Sequence, residues 1–131
     1  MEDSVFTKII KGELPSNKVY EDDQIIAIIP LYPAAKGNVL VIPKVQIDQF
    51  IDLDSQTYQS LMAVVQTVAR HMKAVLKTSR VGLKIEGLDV PHVHVKVIAF
   101  DNHAEFSQEP DTANPPDLEY NASLAKRLSL L

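Results

Sequence analysis

Hydrophobic positions change their spacing several times along the chain, and each change marks an element. Val5, Phe6, Ile9 and Ile10 recur at helical spacing over Val5–Lys11, and Gly12 supplies a stop. Pro15-Ser16 turns the chain into two short strands, Lys18–Glu21 and Gln24–Ile29, with Asp22-Asp23 between them. Pro30, Pro33 and Gly37 break the next stretch into a loop. Val39, Leu40, Val41 and Ile42 follow without alternation, which predicts a strand buried on both faces over Asn38–Pro43. From Asp54 and Ser55 to Leu76, the residues Leu61, Val65, Val68, Met72 and Val75 step by four and three. That stripe predicts one long amphipathic helix, facing either the core of one chain or a seam between two. Val81–Ile85 and Val90–Phe100 read as two more strands around a turn at Gly87. His103–Pro116 is polar and Pro-containing, an arm whose placement the pattern leaves open. Asp117–Leu131 then predicts a last helix with Leu118, Ala122, Ala125, Leu128 and Leu131 on its inner side. The sum is an α+β chain with a mainly antiparallel sheet of about five strands.

Composition narrows what such a chain does. At 131 residues and 46% hydrophobic, it suits one domain over 1–131, with a core over 4–100 and a C-terminal arm over 101–131. The absence of cysteine removes disulfides, thiol nucleophiles and cysteine-based zinc sites. A net charge of −4 speaks against a nucleic-acid partner but leaves room for a small phosphorylated ligand at a locally positive site. The opening Met1-Glu2-Asp3-Ser4 is acidic with no long apolar run behind it, so the expectation is a cytoplasmic protein without a membrane partner.

The chemistry concentrates in Pro91-His92-Val93-His94-Val95-Lys96-Val97-Ile98. Strict alternation in a strand sends Val93, Val95 and Val97 to one face and His92, His94 and Lys96 to the other, roughly 6.5–7 Å apart along the row. Two imidazoles and an ammonium are poor material for a buried face. Such a row is a solvated polar face, or part of a metal site needing a third ligand, or an opening where imidazoles attack or move protons beside an anion-holding ammonium.

The surrounding segments resemble the histidine-triad (HIT) family. Glu86-Gly87-Leu88-Asp89-Val90-Pro91-His92-Val93-His94 is similar to its Gly-x-x-Val-Pro-His loop leading into His-φ-His-φ-His-φ-φ, where φ is apolar. Phe6–Ser16 resembles the family's opening helix and turn, Val19–Asp23 its first hairpin, and Gly37-Asn38-Val39-Leu40-Val41-Ile42-Pro43-Lys44 its Gly-His-x-Leu-Val-Ile-Pro-Lys strand. The resemblance covers about residues 4 to 100.

It implies a HIT-like fold and an enzyme whose middle motif histidine, here His94, attacks the α-phosphate of a nucleotidyl conjugate. A nucleotidyl-histidine forms and is resolved by water or another acceptor. Phosphoramidates or dinucleoside polyphosphates would be the substrates. His92 aligns with a supporting residue. Gly87 through Asp89, with Asn38 and Lys96, align with phosphate-binding positions; Val5, Phe6, Ile9, Ile28 and Leu31 align with the nucleoside pocket. The resemblance implies a homodimer through the long helix and an adjacent strand, and no cofactor or metal is expected. The departures are specific. Lys96 replaces the third histidine, Asn38 a histidine, and Pro30 an aspartate that grips ribose hydroxyls in many members. Ser4 and Thr7 lie near where zinc-bearing relatives have cysteines, and Asp89 brings a carboxylate to the phosphate loop. These losses motivate a second expectation, a catalytically weak or inactive nucleotide-binding or interaction protein on the same fold.

Overall fold

A computed structural model describes residues 1–131. In chain order the elements are α1 (Val5–Ile10), β1 (Asn17–Glu21), β2 (Ile25–Ile29), β3 (Gly37–Pro43), a 3-10 turn (Phe50–Asp52), α2 (Ser55–Leu76), β4 (Arg80–Lys84), β5 (Val95–Phe100), α3 (His103–Phe106) and α4 (Leu118–Leu128). The strands form one five-stranded antiparallel sheet in the order β1-β2-β3-β5-β4. The architecture is the α+β fold that the alternation of elements predicts.

Local chemistry sets the helix ends. Ser4 Oγ accepts the Thr7 N–H at 3.0 Å to open α1, and Gly12 ends that segment at a φ of 81°. Asp54 Oδ1 accepts the Thr57 N–H at 2.7 Å to open α2, which stops where Lys77 takes a left-handed φ of 57°. The α2 stripe is core: Leu61, Val65, Val68 and Met72 pack on one sheet face with α4 residues Leu124 and Leu128, in a cluster of 18 buried residues. Strands β2 and β3 are buried at every position because the other face is covered too. There Phe6 of α1 meets Ile26, Ile28, Leu40 and Ile42 in a cluster of five. No helix is long and apolar enough to cross a membrane.

Two expectations need correcting. The last strand begins at Val95, not Val90, because residues 90–94 bind elsewhere: the His92 N–H donates to Val90 O and the Val93 N–H to Ile47 O, both at 2.8 Å. The inner side of α4 is Asn121, Leu124, Ala125 and Leu128, a stripe at three-, one- and three-residue steps. Ala122 lies about 100° round the helix from Asn121 and is exposed. Leu118 sits at the first turn and Leu131 beyond the helix end, and both remain exposed.

Candidate active site

The stretch before β5 is where the pattern and the structure part company. His92 and His94 are 0% and 5% exposed, so the two imidazoles are buried rather than set along an open face. Burial is tolerated because their ring nitrogens have partners, which the one-dimensional pattern does not show. His92 Nε2 lies 2.7 Å from Pro43 O. A carbonyl oxygen only accepts, so that nitrogen carries the proton, and Nδ1 of the neutral ring accepts from Ser4 Oγ at 2.7 Å. His94 Nδ1 lies 2.8 Å from His92 O and donates to it by the same reasoning. The Nε2 lone pair of His94 is therefore free. Burial holds both imidazoles below the ordinary value. The Pro43 and His92 carbonyls oppose this for His92 and His94 respectively, and the Lys96 charge adds to the lowering at His94.

Two hollows adjoin on this side of the sheet. The first, about 380 Å³, is lined by His94, Lys96, Asn38, Asp89 and Glu86, with Phe6 in the wall. The second, about 440 Å³, contains all five residues aligned with the nucleoside pocket: Val5, Phe6, Ile9, Ile28 and Leu31. Phe6, Pro30, Leu31 and Leu40 line both. The Phe6 ring also makes edge-type contacts with the imidazoles, 4.9 Å from His94 and 5.8 Å from His92 between centroids. Gly87, at a φ of 66°, lies apart from these hollows. It lines a smaller one of about 100 Å³ on which His94 also borders. Asp89 and Asn38 thus share the first hollow with His94, while the loop glycine does not.

The polar groups there are already partly engaged. Asn38 Oδ1 accepts the Ala34 N–H at 2.9 Å, bracing the loop after β2, so its amide nitrogen is the group left for a ligand. Lys96 Nζ donates to Glu86 Oε1 at 3.1 Å, and this ammonium holds the Glu86 carboxyl below its usual range against the opposing effect of burial.

Sequence reasoning missed several lining groups. Lys84, directly across from Lys96 in the β4–β5 register, faces the same cavity. The arm passes over it: Gln108, Glu109, Pro110 and Thr112 form part of the wall, and Gln108 Oε1 accepts the Ala35 N–H at 2.7 Å. The arm is anchored at α3, where Phe106 lies on Gly82 so closely that a Cβ there would sit 2.6 Å from its ring. An isolated glycine inside a strand is the sequence signal for such an approach.

Comparison with known proteins agrees with the geometry. Residues 11–103 match the model of the HIT domain. The protein named Protein hit of Bacillus subtilis is 30% identical over 139 aligned positions, covering 98% of this chain and 96% of that one. A purine nucleoside phosphoramidase of Escherichia coli is 28% identical, covering 74% of this chain and 87% of that one. The crystal structure of a Hit-like protein from Bartonella henselae superposes with a TM-score of 0.83 at 27% identity, over 98% of this chain and 97% of that one. The domain match spans most of the chain and a relative of 30% identity covers nearly all of it, so the chain belongs to the HIT family.

Proposed function

We propose that the protein is a nucleotide hydrolase or transferase that cleaves nucleotidyl conjugates at the α-phosphate through His94. One observation carries the reading: His94 donates Nδ1–H to the His92 carbonyl, which leaves Nε2 as an unprotonated nucleophile at the wall of a cavity beside an apolar hollow. The base would lie in the hollow lined by Val5, Phe6 and Ile9, with the α-phosphate near Lys96 and the Asn38 amide nitrogen. The Nε2–P bond forms as the bond to the leaving group breaks, and that group departs with the electron pair and takes up a proton from solvent. Water then adds to phosphorus and gives a proton back to solvent as the Nε2–P bond breaks, its electron pair returning to Nε2, and a nucleoside monophosphate is released. His92 supports this arrangement without attacking, since both its ring nitrogens are engaged.

Charge favours one substrate class over another. The cavity beside His94 sets Lys84 and Lys96 against Glu86, Asp89 and Glu109. A polyphosphate leaving group would be repelled by that excess of carboxylates, whereas an amine would not. Phosphoramidates are therefore the expected substrates, as the name of the Escherichia coli relative also suggests. The test is turnover of adenosine phosphoramidate and diadenosine polyphosphates by wild type and His94→Ala. Loss of about a thousandfold or more in the variant is expected, and equal rates for the two proteins would overturn the reading.

A second reading, binding without efficient turnover, draws on Pro30, which lines both hollows without a side-chain acceptor, and on the engagement of Lys96 by Glu86. Titration calorimetry with nucleoside monophosphates separates the two readings: heat of binding with no turnover would favour this second one. A homodimer is part of the proposal. Tyr58, Met62, Ala69, Val81 and Leu83 line an open apolar groove along α2 and β4, and β4 is an edge strand. A sedimentation mass of one chain at micromolar concentration would reject it.

A further inference from the structure

We infer that Ser4 is a positioning residue for His94, acting through His92 and aligning the nucleophile with the helix that carries the nucleoside pocket. The inference rests on the proposed role of His94 and adds a residue to it.

The Ser4 hydroxyl does two jobs at once. Its oxygen accepts the Thr7 N–H at 3.0 Å and so caps α1, and its proton goes to His92 Nδ1 at 2.7 Å. Residues 88 apart in sequence are thereby joined through one buried oxygen. On the far side of the ring, His92 Nε2–H holds the Pro43 carbonyl at the end of β3. The imidazole is a strut between the N-terminus of α1 and the end of a central strand. The carbonyl end selects the tautomer by demanding a proton on Nε2, and the hydroxyl, which can donate, matches the bare Nδ1 that results.

What the strut fixes is the backbone of residue 92, whose carbonyl takes the Nδ1 proton of His94. The proton that keeps His94 Nε2 free for attack is thus held by a carbonyl whose position depends on Ser4. The same hydroxyl seats α1, and α1 carries Phe6, whose ring meets both imidazoles and whose other neighbours line the apolar hollow. Base and phosphate sites are consequently set at a fixed distance by one side chain. Ser4 is itself held in place. Gln46 Oε1 accepts both the Ser4 N–H at 2.8 Å and the Thr7 hydroxyl at 2.6 Å, while Gln46 Nε2 donates to Glu2 O at 2.8 Å. The four side chains form a closed arrangement in which Ser4 Oγ, 2.7 Å from His92 Nδ1 and 3.3 Å from Thr7 Oγ1, is the nearer donor to His92, while Thr7 Oγ1, at 3.4 Å from Nδ1, gives its proton to Gln46.

The experiment compares Ser4→Ala, Ser4→Thr and Gln46→Met with wild type by two readouts. In Ser4→Ala, kcat for adenosine phosphoramidate should fall about tenfold with KM within about twofold, as expected when a supporting partner is lost and a nucleophile is misaligned. Nitrogen-15 chemical shifts of the imidazoles should show His92 Nδ1 moving to the position of an acceptor with no hydrogen bond and His94 Nε2 losing its pure acceptor character. Ser4→Thr, which keeps the hydroxyl, should restore both. Gln46→Met leaves cap and donor intact and should cost only about two- to threefold in kcat. An unchanged pair of imidazole signals in folded Ser4→Ala, with kcat unchanged or lowered only in step with thermal stability, would overturn the inference and leave Ser4 a helix cap. Should wild type turn over no nucleotide conjugate, the proposed activity falls, yet the nitrogen shifts still decide whether Ser4 holds the two imidazoles in place.

Discussion

The two faces of the sheet are built on different terms. On the face covered by α2 and α4, 18 buried apolar residues interlock, and any one of them is supported by many neighbours. On the other face a cluster of five buried apolar residues meets two imidazoles through Phe6, and the imidazoles are held by single hydrogen bonds to Ser4, Pro43 and the His92 carbonyl. The first face is specified by periodicity and shape. The second depends on particular atoms meeting particular atoms. Damage should therefore read out differently: as lost stability on the first, as lost chemistry on the second.

The largest effect that tests this division is at Leu61, which is 0% exposed in the α2 stripe. Leu61→Ala should cost about 2–5 kcal/mol in denaturant unfolding. The folded fraction should keep its turnover within about twofold, because no atom of Leu61 lines either hollow. His94→Ala should do the opposite. A Leu61→Ala protein that is folded but as inactive as His94→Ala would mean that the faces are coupled and the division is wrong.

A smaller effect separates the faces by acidity. Burial depresses both His92 and His94, so between their folded values and the ordinary imidazole value of about 6.5 the unfolded chain binds more protons than the folded one. Stability from these groups is complete above that ordinary value and is lost as pH falls through the window. Removing both imidazoles, as His92→Gln with His94→Gln, should flatten this acid-side loss, while Leu61→Ala should lower stability evenly across it. The acid limb of kcat/KM should lie below 6.5, since free His94 Nε2 stays unprotonated there. A limb above neutrality would place the titrating nucleophile elsewhere.

The same contrast explains what was legible in the sequence. The α2 stripe and the double-sided burial of β3 follow from spacing, because covering a face needs only apolar side chains at the right period. The inner side of α4 was harder, since Asn121 is buried by tying its amide nitrogen to Leu31 O at 2.9 Å, and an asparagine carries no apolar signal. For the site, the alternation at Val93, Val95 and Val97 correctly picks out residues of the core. It misplaces His92 on an open face because the partners that permit burial lie 88 and 49 residues away. Ser4 announces itself only as a helix cap, and the arm's course over the cavity depends on Phe106 meeting Gly82. Local pattern reports which residues want to be buried; it is silent on which polar atoms will be satisfied when they are.

The smallest effect concerns Lys96, the member of the site face closest to ordinary surface chemistry. Its side chain is a quarter exposed and pairs with the more exposed Glu86, so the pair itself adds little to stability. Its consequence is electrostatic. Lys96 lowers the basicity of His94 while Glu86 raises it, and a bound phosphate competes with Glu86 for the ammonium. Lys96→Gln removes the cation and releases the carboxylate, and both changes push His94 upward. The acid limb should shift to higher pH, and affinity for a nucleoside monophosphate should fall a few-fold at low salt, with the difference shrinking as ionic strength rises. Lys96→His should restore a donor without a permanent charge and recover part of the affinity. If titration calorimetry finds no change in affinity for Lys96→Gln at low salt, and the limb stays where it was, Lys96 is a surface residue that borders the cavity and the phosphate is held by other groups.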